Sequence, residues 1–223
     1  MRFLLPALLL NVSVTSVIAD DLIFQVGGTP VTESGSLLPE DALTVRFAER
    51  ESGAVELTID ASGLPQNADK IHRVFVNFFQ AGVSVADLEL TELSGPSVKA
   101  FQQEADKAGP NHGGGKFDLG VQYRTSASNK FSSGEISRIL IDHSSQKLWA
   151  SSFNLGTEGS DSLRVKTHIL DSGAGGESGF YVNRNTTAVP EPGQLGIMLI
   201  GLLGFCVVAG RRRRGEETNT IEP

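Results

Sequence analysis

Near the C-terminus, Val189-Pro190-Glu191-Pro192 places two prolines around one carboxylate. Each proline fixes its own φ and disfavours helix in the residue before it, so the triplet is extended and open to the binding cleft of an enzyme. The chemistry such a segment suits is recognition and cleavage of the chain itself. Residues 193–210 follow, 18 positions without a charge. As a helix they would measure about 27 Å, close to the hydrocarbon thickness of a bilayer. Their strongly apolar members, Leu195 and Ile197 through Val207 and Val208, favour insertion by roughly 3–5 kcal/mol. Arg211, Arg212, Arg213 and Arg214 come next. Each would cost roughly 2.5–3.5 kcal/mol at the bilayer centre, so the four stay on the cytoplasmic side and leave the preceding domain outside.

Other chemistry is sparse. The histidines are His72, His112, His143 and His168; they sit singly, with no His-x-x-x-His pair, so a zinc site is not expected. Gly176-Glu177-Ser178-Gly179 continues into Phe180 and is not a nucleophile elbow. No phosphate-cradling glycine loop and no Asp-x-Asp-x-Asp-Gly calcium loop occurs. His112 and Asp118 flank a run of three glycines and read as a loop tip, and Asp142-His143 reads as a turn at a strand end. The sequence thus gives no catalytic residue, no metal site and no cofactor. For sugar binding the candidates are Trp149, Tyr123 and Tyr181, with Trp149 expected in the core.

The N-terminus begins Met1-Arg2, continues through an apolar run to Leu10, and reaches small residues at Val17 and Ala19. This is the layout of an export signal, with signal peptidase cutting between Ala19 and Asp20. Taken with the proline triplet, the apolar span and the arginine cluster, it resembles proteins with a PEP-CTERM sorting signal. The resemblance covers residues 189–214. It implies a Gram-negative bacterium that makes exopolysaccharide, and an exosortase, a membrane transpeptidase-like enzyme, as processing partner. Pro190, Glu191 and Pro192 would be the recognition residues, and Arg211 to Arg214 would retain the tail. The expected route is export across the inner membrane, anchoring in membrane lipid, and release or transfer to the cell surface or matrix. An exopolysaccharide-binding adhesin and a secreted hydrolase with an unrecognised site remain alternatives.

The expected layout is a signal peptide over 1–19, an ectodomain over 20–182, a flexible linker over 183–189, the sorting signal over 190–214 with its transmembrane helix over 193–210, and a tail over 215–223. The chain's formal charge is −7. Arg2 adds one positive charge before residue 20, and four arginines balance four glutamates after residue 189, so residues 20–189 carry −8. Such a domain repels phosphate backbones, which excludes nucleic acid as a partner. The one cysteine, Cys206, lies in the apolar span, so no disulfide staples the domain. Short alternating runs predict strands over 22–26, 43–48, 55–60, 71–79, 86–93, 117–124, 135–142, 147–153, 163–170 and 179–183. Residues 97–108 predict one surface helix. The expected fold is all-β, an antiparallel, jelly-roll-like β-sandwich.

Overall fold

In the computed structural model, residues 21–31, 35–66, 70–108, 116–126, 128–156, 163–170 and 178–188 are described. They belong to one compact unit, Ala19–Val189. The described residues form ten strands: β1 (Asp21–Gly27), β2 (Leu43–Glu49), β3 (Val55–Asp60), β4 (Lys70–Val76), β5 (Glu89–Ser94), β6 (Val98–Ala108), β7 (Phe117–Tyr123), β8 (Ile136–Asp142), β9 (Val165–Leu170) and β10 (Gly179–Ala188). Two 3-10 turns, Val85–Asp87 and Ala150–Phe153, complete the described elements.

Every pairing is antiparallel, and the strands form one sheet in the order β5-β8-β3-β2-β1-β10-β9-β4-β7-β6. The two edge strands, β5 and β6, are neighbours in sequence, joined by residues 95–97 alone. A flat sheet of this order would hold its edges about 43 Å apart. The four peptide steps from Ser94 to Val98 reach about 14 Å. The sheet must therefore curl until its edges nearly meet, as a barrel does. The seam is sealed by side chains. The Gln103 amide donates to the carbonyls of Val85 and Leu88, and Val98 N donates to the Glu92 carboxylate at 2.9 Å. Val85 and Leu88 are buried beneath it.

The all-β antiparallel expectation holds, but the two-sheet sandwich gives way to this single curled sheet. Neighbour follows neighbour without a break: β1 bonds to both β2 and β10, and β4 to both β7 and β9. Alternation supplies the inner face, as where Val55, Leu57 and Ile59 of β3 point into the core. The interior is filled by aromatic rings. Phe47 stacks on Phe153 with centroids 4.3 Å apart and meets Phe24 edge-on at 6.2 Å. Tyr123 donates to Ser137 Oγ at 2.8 Å, both residues being buried, and burial pushes its phenol up.

Three local expectations need correction. Residues 97–108 are not a helix: Val98–Ala108 is β6, paired to β7 with Phe101 opposite Val121. Its Lys, Gln, Glu and Ala favour helix locally, but β7 needs a partner on that side. Residues 147–153 are not a strand. Leu148 N donates to Gly53 O, Ala150 N donates to the Glu49 carboxylate, and the segment ends in a 3-10 turn that drops Phe153 into the core. Finally, the linker expected over 183–189 is strand through Ala188, where β10 pairs with β1. The segments expected as signal peptide, sorting signal and transmembrane helix lie outside the described residues. Among the described residues no helix is long and apolar enough to cross a membrane.

Candidate functional site

The antiparallel register assigns each connection to one end of the barrel. β1 begins at Asp21 and β10 ends at Ala188, and Leu22 lies opposite Ala188. Following the pairings outward, the same end holds the 50–54 loop after β2, the 77–88 connection from β4 to β5, the end of β6, the start of β7, and the connection from β8 to β9. Two long connections thus cover this end.

They are locked together by polar contacts. Phe79 N donates to Ser152 O at 2.8 Å, and Gln80 Nε2 donates to Lys147 O at 2.7 Å. Ser152 Oγ donates to Gln80 Oε1 at 3.0 Å, and Asn77 Nδ2 to Leu155 O at 3.3 Å. Between the 77–88 connection, β6 and β7 lies a cleft of about 660 Å³. Its floor is Asp118, 9% exposed, whose two oxygens accept Phe78 N at 3.0 Å and Asp106 N at 2.9 Å. Asp106 itself has φ +55°, a left-handed conformation that aspartate tolerates better than most residues. Asp118 therefore ties the end of β6 to the loop after β4. Asp87 and Asp106 join it in the cleft wall, and none of the described lining residues is basic.

The rim is apolar. Phe79 is 66% exposed, Leu155 45% and Trp149 43%. The expected core role of Trp149 fails because its flanking residues Leu148 and Ala150 take the buried positions. Lys147 Nζ lies 4.0 Å from the Trp149 ring centroid, and it also faces the Glu49 carboxylate at 3.4 Å. The other two sugar-binding candidates, Tyr123 and Tyr181, are fully buried and so present no face to a ligand.

The proline triplet begins two residues beyond Ala188, the last residue of β10. A comparison with protein families matches residues 188–214 to the PEP-CTERM protein-sorting motif. The chain carries a PEP-CTERM sorting signal. The match takes in Pro190, Glu191, Pro192 and Arg211 to Arg214, and it starts where the barrel's last strand ends. No curated protein and no solved structure matches the chain of this PEP-CTERM protein. Val17, Ala19 and Asp20, read as the signal peptidase site, lie outside the described residues, as do the matched residues after Ala188.

A second cluster, absent from the sequence reading, crosses four strands. His72 Nδ1 and His168 Nδ1 are 3.2 Å apart, and Gln122 Nε2 lies 3.2 Å from His72 Nε2. His168 stacks on Phe180 at 4.3 Å, and Lys166 Nζ sits 4.8 Å from the same ring centroid. Burial, then His72, Arg73 and Lys166, push His168 down to about 4. Burial, with Arg73 and Lys99, lowers His72 as well, and burial lowers Lys166 to about 8. The pair is neutral at neutral pH, and one ring can donate an N–H to the other. The described residues hold no group of three or more His, Cys, Asp or Glu arranged for a metal ion. His143 serves the turn after β8, accepting Ser145 N at 3.2 Å and Gln146 N at 3.1 Å.

Proposed function

We propose that this chain is a non-enzymatic surface protein, exported by its N-terminal signal and sorted by its C-terminal one. The single observation that carries the reading is the match over 188–214, with its proline triplet, uncharged span and four arginines in that order. In this reading signal peptidase removes residues 1–19, and residues 193–210 hold the chain in the inner membrane of a Gram-negative cell. The arginines stop the tail from following, because guanidinium groups do not leave water for hydrocarbon. An exosortase-like enzyme then cuts near Pro190-Glu191-Pro192, and the barrel goes to the cell surface or the exopolysaccharide matrix.

The folded domain suits this role as cargo. A curled sheet with no disulfide relies on its aromatic core and continuous pairing, and those need no cofactor to form. The test is a chain with Pro190→Ala, Glu191→Ala and Pro192→Ala together, expressed in the native host. The reading predicts that most of this variant stays in the membrane fraction at full length, while the unaltered chain is processed. Equal processing of both would sink the assignment of these three residues.

A further inference from the structure

We propose that the barrel end bearing Phe79, Trp149 and Leu155 is a bilayer-docking surface, resting on phospholipid headgroups until the tail is cut. This rests on the reading of residues 193–210 as a membrane span. The first observation is where the chain leaves the barrel. Ala188 is paired in β10, and Gly193 opens the uncharged span, so five peptide steps separate them. Whatever their conformation, five steps reach about 17 Å at most. The headgroup layer takes up about 5–7 Å of that. The end of the barrel where β10 terminates is thereby held within about 12 Å of the headgroups.

The second observation is what that end presents. Phe79 and Leu155 are exposed, and Trp149 shows nearly half of its surface beside Lys147. An indole with a neighbouring ammonium is suited to the boundary between water and hydrocarbon, where the ring is wetted at one edge and the lysine stem lies along apolar surface. The three residues stand on the two connections that polar contacts lock together at this end of the barrel. The occupant is a zwitterionic lipid surface, because residues 20–189 carry −8 and an anionic leaflet would repel them. Docking would hold residues 189–192 at headgroup depth, within reach of a membrane-embedded processing enzyme.

Trp149 is the only tryptophan, which makes the test direct. The full-length chain is reconstituted into phosphatidylcholine vesicles and separated by flotation. Tryptophan emission is then read with nitroxide lipids labelled at a shallow position and, separately, with aqueous iodide. The proposal predicts a blue-shifted emission, loss of signal to the shallow nitroxide, and protection from iodide. Phe79→Ser with Leu155→Ser should reverse all three. Leu37→Ser, at a 75% exposed residue on the opposite end, should change none. A chain that floats with the vesicles but is quenched only by iodide overturns the docking surface and leaves the span standing. A chain that does not float overturns the span and the docking together.

Discussion

His72 and His168 are 96 residues apart in sequence, and their rings meet because β4 and β9 pair with a bulge between Ile71 and Arg73. Both are held below the ordinary histidine value, chiefly by burial, so the folded state favours their neutral forms. The unfolded chain binds protons to them near pH 6.5, whereas His168 in the fold does so only near pH 4. Stability from this pair is therefore complete above about pH 6.5 and is lost as the pH falls toward 4. The loss should be roughly 1–2 kcal/mol, after allowing for solvent screening at a partly exposed ring. Urea midpoints measured across this range should decline for the natural chain and decline less for His168→Asn. Equal slopes would show that the pair does not titrate as described. Nothing in the sequence around His72 or His168 signals the partner, because the contact depends on strand order. Trp149 is a related case. Its apolar neighbours point to a core position, yet Leu148 and Phe153 fill the core and leave the indole exposed.

Among the elements, the seam between β5 and β6 is the least regular part of the sheet. No backbone ladder joins these strands, and the Gln103 amide bridges to Val85 O and Leu88 O instead. Gln103→Ala would leave those two acceptors without that donor and should cost about 1–2 kcal/mol. Amide exchange should quicken selectively at residues 83–88. Uniform exchange across the barrel would contradict this account of how the seam is held. The strands with strict alternation, such as β3, were legible from their residues alone, since period two admits one buried face. β6 was not, because its residues prefer helix and its strand conformation is imposed by β7. Beyond Asn183, β10 is hidden in the sequence for a similar reason. Asn-Arg-Asn-Thr-Thr has the polarity of a linker, but β1 pairs with it to Leu22. The curl of the sheet follows from strand order combined with the three-residue connection 95–97, and the order itself is invisible in any single segment.

For the molecule as a whole, the C-terminal motif carries the sorting message and the barrel carries the geometry. The sorting signal could be read without structure, because its meaning lies in a linear series of rigidity, greasiness and positive charge. The barrel adds that the matched residues begin at Ala188, the last residue of β10. Mass spectrometry of the mature protein from its native host tests this account most directly. The account predicts a C-terminal peptide ending at or near residues 189–192, with residues 193–223 absent. A population in which every molecule still ends at Pro223 would contradict it.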